Sequence, residues 1–197
     1  MPLPPLGRLR LRPRAMTPQP SFFDDIHTHG RTGARVLTSV TPDFIIDTEP
    51  GTAWYSIGIH PWDTETMPDD AVFDRLEALA ADPRVAAIGE AGLDALHGGP
   101  ADVQEAVFRR QAAIAEATGK FFIIHCVRRY GRLMELKNEL QPTVPWIIHG
   151  FRGKRELARQ LLAAGFGISI GKADPHAIRE AFPDTHFYSE TDMYAPT

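Results

Sequence analysis

From Phe22 onward, short apolar runs alternate with stretches whose apolar residues recur at helical spacing, the sequence form of a βα repeat and a parallel sheet. Eight runs have β character: 22–26 (FFDDI), 34–40 (ARVLTSV), 53–59 (AWYSIGI), 85–90 (VAAIGE), 121–126 (FFIIHC), 145–150 (PWIIHG), 165–170 (GFGISI) and 186–191 (HFYSET). Eight parallel strands close into a barrel. Between them, 69–81 places Val72, Leu76 and Leu79 on one helical face, and 101–118 does the same with Val103, Val107, Ile114 and Ala117. Shorter helices are expected over 131–140, 154–164 and 175–181. The gaps after the first two runs are too short for full helices, and nothing after Asp192 is long enough to form the last one. The pattern predicts an α/β fold, a compact TIM (β/α)8-type barrel with some helices shortened or missing. Such barrels take about 250 residues, so 197 residues imply trimmed helices, a C-terminal truncation, or both.

The first 20 residues stand apart. Met1 to Ala15 is rich in Pro and Arg, has no continuous apolar core of a secretory signal, and is expected to be a disordered leader to a single barrel over 21–197. Met16 follows at once and is a candidate translation start. The alternative for its four arginines is a nucleic-acid-binding arm. They also hide how acidic the body is: the whole chain carries −4, so without them the remainder carries −8. That balance argues against non-specific duplex binding through many phosphate contacts. No run is long enough to span a membrane, and one cysteine, Cys126, cannot form an internal disulfide, so a cytoplasmic protein is expected. Nothing in the sequence requires an obligate protein partner.

Composition of 43% hydrophobic and 23% charged residues is that of an ordinary globular chain, so the chemistry has to come from particular positions. His27, His29, Glu90, His125, His149 and Asp192 all lie at or just beyond the C-terminal ends of the runs, the end at which parallel barrels place their active sites. His27 and His29 are two apart, so in an extended segment both imidazoles point the same way; the alternative is a pair of exposed loop histidines. Glu90 is flanked by Gly89 and Gly92, which would let the backbone turn sharply. His125 and His149 each follow an apolar run, where a lone histidine would read as a satisfied core residue, but two in matching positions read as ligands. Asp192 closes the series, with Glu190 two positions earlier on the same side.

Mixed nitrogen and oxygen ligands with an open position suit hydrolysis, because a bound metal lowers the pKa of water from 15.7 towards about 7. Asp192 is then the proton acceptor. A shared Glu90 could join a His27/His29 ion to a His125/His149 ion, and two such ions would clamp a phosphodiester. The donor set favours Zn or Mn, with Mg as the oxygen-preferring alternative, for one or two divalent ions.

The motifs DIHTH, GIHPWD, AIGEAGLD, IIHC, IIHGFRG, GFGISIG and SETD, in this order over residues 22–194, resemble those of the TatD family of metal-dependent hydrolases. The resemblance implies a barrel of the metal-dependent hydrolase kind and activity similar to that of Mg-dependent deoxyribonucleases that remove nucleotides from DNA ends. It also implies His27, His29, Glu90 and Asp192 around one ion, and Glu90, His125 and His149 around the other. His60 in GIHPWD resembles a substrate-phosphate contact more than a ligand, a turn role set by Pro61 being the alternative. Asp94 is expected to orient a neighbouring ligand, and Arg128 and Arg152 are candidates for binding substrate phosphate, solvated loop arginines being the alternative. His97, His176 and His186 read as surface histidines. The expected substrates are nucleic-acid ends or a small phosphoester. An amidohydrolase-like enzyme cleaving a small amide, ester or phosphoester is the alternative, and a non-catalytic barrel scaffold is a third reading.

Overall fold

In a computed structural model, described for residues 17–171 and 187–192, each of the eight runs contributes a strand. These are β1 (Asp25–Thr28), β2 (Val36–Val40), β3 (Trp54–Ile57), β4 (Val85–Asp94), β5 (Phe121–Val127), β6 (Trp146–Ile148), β7 (Gly167–Gly171) and β8 (Phe187–Glu190). All pair in parallel in chain order, and the sheet bends into a nearly closed barrel. At its seam, Asp192 N–H donates to the His27 carbonyl at 3.1 Å. Beside it, the buried Asp25 carboxylate accepts from the Thr191 N–H at 3.1 Å and from the Thr191 hydroxyl at 2.7 Å.

Helices α1 (Asp70–Ala80), α2 (Ala101–Thr118), α3 (Tyr130–Leu140) and α4 (Arg155–Ala163) fill the connections that follow β3, β4, β5 and β6. Neither of the first two connections holds a helix, as their lengths predict. The helix expected over 175–181, with His176 and His186, lies outside the described residues, as do Met16 and the chain before it.

Two expectations of detail are corrected. The first run, 22–26, is not a strand throughout: Pro20–Phe22 form a short 3-10 turn, started by a proline whose fixed φ suits that position. Phe22 and Phe23 instead pack edge-on against Trp54, at ring separations of 6.0 and 6.4 Å, at the N-terminal end of the strands. On α2 Val107 and Ile114 are buried as expected, but the buried face also takes in Gln104, Phe108, Gln111, Ala112 and Ala115, while the expected Ala117 is exposed. Polar residues at 104 and 111 hid the true stripe, because both glutamines are buried for their hydrogen bonds rather than for their apolarity.

Strand alternation decides what faces the barrel interior. On β5, Phe122, Ile124 and Cys126 join the large core beneath the helices, with Phe108, Leu133 and Trp146. Phe121 and Ile123 point the other way and pack with Ile147 and Phe23. His125 follows the same period, so it continues the inward row of Phe121 and Ile123. His149 likewise extends the row of Ile147.

Candidate active site

Glu90 is the centre on which the polar side chains converge. It lies within β4 and not at its end, which corrects the sharp turn expected at Gly89 and Gly92. The strand continues to Asp94 through a bulge: Ile88 pairs with Phe122 and Ala91 with Ile124, so the β4 segment between those pairs is one residue longer than its partner. Bulges re-aim side chains beside active sites. Gly89 has φ +123°, open to glycine alone, and a Cβ there would overlap the Ile123 carbonyl oxygen. Gly92 serves close approach instead of a turn, since a Cβ on it would overlap the His125 carbonyl oxygen.

The two oxygens of Glu90 face different groups. Oε2 lies 3.3 Å from His27 Nε2 and 3.8 Å from His29 Nε2, and Asp192 Oδ1 completes that side at 3.6 and 3.8 Å from the same nitrogens. Oε1 lies 2.6 Å from His149 Nε2, 2.9 Å from His125 Nδ1 and 3.0 Å from His60 Nε2. All six expected ligand residues are therefore brought together, and His60 joins them. Triads with metal-ligand spacing include His27–Glu90–His149, His27–His29–Asp192 and His60–Glu90–His125. Arg128 and Arg152 are exposed, and neither lines the cleft of about 530 Å³ into which Glu90, His60 and Asp192 open.

Hydrogen bonding sorts the histidines. His60 Nδ1 accepts the Trp62 N–H at 3.2 Å, so a neutral His60 carries its proton on Nε2 and donates it towards Glu90. His125 Nε2 faces the acceptor-only Asp94 Oδ2 at 3.0 Å, so its proton belongs there and the Nδ1 lone pair is turned to the cluster. Asp94 thus makes the orienting contact expected of it. It also accepts the Trp62 indole N–H at 2.8 Å and the N–H groups of Leu96 and His97. Burial would raise its carboxyl, but these donors hold it at about 2. Glu190 stands behind His149: buried, it accepts the Gly150 N–H at 2.7 Å and the Ser169 hydroxyl, and burial raises its carboxyl above the usual range.

Electrostatics separate the two most buried imidazoles. Burial, with positive charge on nearby His149, lowers His27 to about 4. Burial would lower His149 too, but the Glu90 carboxylate outweighs it and lifts His149 to about 9. Burial would raise the Glu90 carboxyl, but charged His149 and the close imidazoles of His125 and His27 outweigh it and hold the carboxyl well below the usual range. A divalent cation fits these donors. Among the described residues, neither ring nitrogen of the buried His27 has a hydrogen-bond partner, nor has His149 Nδ1, whereas buried polar atoms are ordinarily satisfied.

Two buried glutamines of α2, absent from the expected site residues, hold this face in place. Gln111 clamps the backbone of Ile59, receiving its N–H at 2.8 Å and donating to its carbonyl at 3.0 Å, one residue before His60. Gln104 does the same for Asp94, at 2.7 and 3.0 Å. The available signal was two glutamines seven apart on the apolar face of α2. Gln111→Ala is expected to leave a buried N–H and carbonyl unpaired, costing roughly 2–5 kcal/mol. Thermal unfolding measures it, and an unchanged Tm would show that water replaces the amide.

A family model described as TatD related DNase matches residues 40–197. A protein of Musicola paradisiaca named 3'-5' ssDNA/RNA exonuclease TatD is 34% identical over 154 residues, covering 73% of this chain and 58% of its own length. The Bacillus subtilis protein YabD, named an uncharacterized metal-dependent hydrolase, is 33% identical over 147 residues, covering 70% of this chain and 57% of its own. The chain thus spans less than two thirds of these relatives. Among solved structures, the TatD homologue YJJV of Escherichia coli K12 superposes with a TM-score of 0.65 at 22% identity, covering 81% of this chain and 68% of that one. At that identity the likeness is one of fold.

Proposed function

The chain belongs to the TatD-related DNase family, and from that premise we propose that it is a metal-dependent phosphodiesterase acting on the ends of single-stranded nucleic acid. The observation that carries this reading is Glu90, whose two oxygens each face a separate set of imidazoles. His27, His29, Glu90 and Asp192 would hold one divalent ion, and Glu90, His125 and His149 a second. Such ions, when bound, activate water near neutral pH and stabilise the attacking and leaving oxygens of an in-line displacement. Imidazole with carboxylate suits Zn or Mn, and Mg remains in the set.

The chain's own groups supply the rest. Asp192, a third exposed at the cleft, accepts the proton of the attacking water at its carboxylate. His60, with Nε2–H turned inward, donates to a non-bridging phosphate oxygen. Asp94 and Glu190 keep His125 and His149 in place from behind. Arg128 and Arg152, exposed just after β5 and β6, are assigned to more distant phosphates of the strand. The 3' end is taken as the point of attack from the name of the Musicola relative. A cytoplasmic location accompanies this reading, in keeping with the buried, unpaired Cys126.

The test is hydrolysis of a short single-stranded DNA and of bis-p-nitrophenyl phosphate by metal-stripped protein resupplied with Mg, Mn or Zn, beside His125→Ala. Metal-dependent shortening of the DNA that is lost in the variant is expected. Turnover of the small ester alone would replace the nuclease reading with a small-phosphoester hydrolase, and silence with every metal would overturn both.

A further inference from the structure

Of the three tryptophans, Trp146 is buried in the core and Trp54 packs against Phe22 and Phe23, but Trp62 leaves 54% of its surface exposed at the cleft beside Glu90. It is not a loose surface side chain. Its indole N–H is tied to Asp94 at 2.8 Å, and its ring stands edge-on to His60, with centroids 4.9 Å apart and planes at 87°. Its backbone N–H is held by His60 Nδ1. The ring is fixed from within and open to the cleft, which is the geometry of a platform formed before any ligand arrives. Among the described residues lining the cleft there is no lysine or arginine, so affinity for a nucleotide there has no basic side chain to draw on.

We propose that Trp62 is a stacking platform for the base of the terminal nucleotide, a role that rests on the phosphodiesterase reading above. An indole accepts any base, because every base presents a π face. The platform sits one Asp94 away from His125. A base seated on it would set the scissile phosphate over Glu90, so the aromatic ring acts as the register stop for the strand end.

The experiment compares two single-stranded DNA oligonucleotides, one with a normal 3'-terminal base and one with an abasic 3'-terminal residue, in wild type, Trp62→Ala and Trp62→Phe. Wild type is expected to favour the base-bearing strand in kcat/KM by roughly 5–150-fold, the worth of one base–aromatic stack. Trp62→Ala should bring that ratio close to one. Trp62→Phe loses the bond to Asp94 but keeps a ring, so it should retain most of the preference, which a purely structural role through Asp94 would not produce. A wild-type ratio near one, or a full preference in Trp62→Ala, overturns the platform while leaving the nuclease standing. If wild type cuts neither strand yet hydrolyses bis-p-nitrophenyl phosphate, the nuclease reading itself fails and the platform with it.

Discussion

Replacing Asp192 with Asn is expected to lower metal-dependent hydrolysis by about 10²–10⁴-fold while the protein keeps its fold and at least one metal ion. An amide cannot take the proton that a carboxylate takes, and that proton transfer is the step assigned to Asp192. Little else changes. Residue 192 has φ +45°, a left-handed conformation that Asn tolerates as well as Asp. Its backbone N–H, which pins β8 to β1 through the His27 carbonyl, is untouched. The side chain is a third exposed, and its buried neighbour His27 keeps the Glu90 carboxylate at 3.3 Å. The readouts are kcat at saturating metal, metal content per chain and Tm. Near-full turnover would remove Asp192 from the mechanism, and loss of all metal would make it chiefly a ligand.

Much of this arrangement was legible because barrel topology turns sequence position into spatial position. A strand end is a place on one face of the barrel, so six polar residues scattered from 27 to 192 could be grouped from the sequence. Alternation along β5 and β6 then aimed His125 and His149 inward. What escaped is what depends on exceptions to the periods. Glu90 reaches the centre through a bulge, and a bulge leaves no mark in a hydrophobic pattern except a glycine that could equally mean a turn. The apolar stripe expected on α2 leaves out Gln104 and Gln111, although their amides are buried against Asp94 and Ile59. The tautomers of His60 and His125 are set by the Trp62 N–H and by Asp94, partners that only the folded chain supplies.

Glu90→Gln is expected to weaken both ions together, by more than the roughly 10–100-fold that follows from disturbing even a neighbouring group, and to abolish activity at ordinary metal concentrations. Each Glu90 oxygen serves one set of imidazoles, so a single amide removes the negative charge from both. The metal-free protein carries a second signature of the same bridge. Glu90 raises His149 to about 9 from a usual 6.5, so the raised imidazole contributes stability that is full below pH 6.5 and fades as pH rises through about 9. Metal needs His149 neutral and must displace its proton, so wild-type affinity should rise with pH up to about 9 and binding should release protons at pH 7. In the Gln variant the buried imidazole loses its counter-charge and goes neutral by itself. The decline in metal-free stability between pH 6.5 and 9 should then vanish, and so should most of the proton release. Calorimetry in buffers of different ionisation enthalpy, with metal content per chain, tests both. Loss of one ion with the other retained would show that Glu90 serves a single site, and its assignment to both ions would fall.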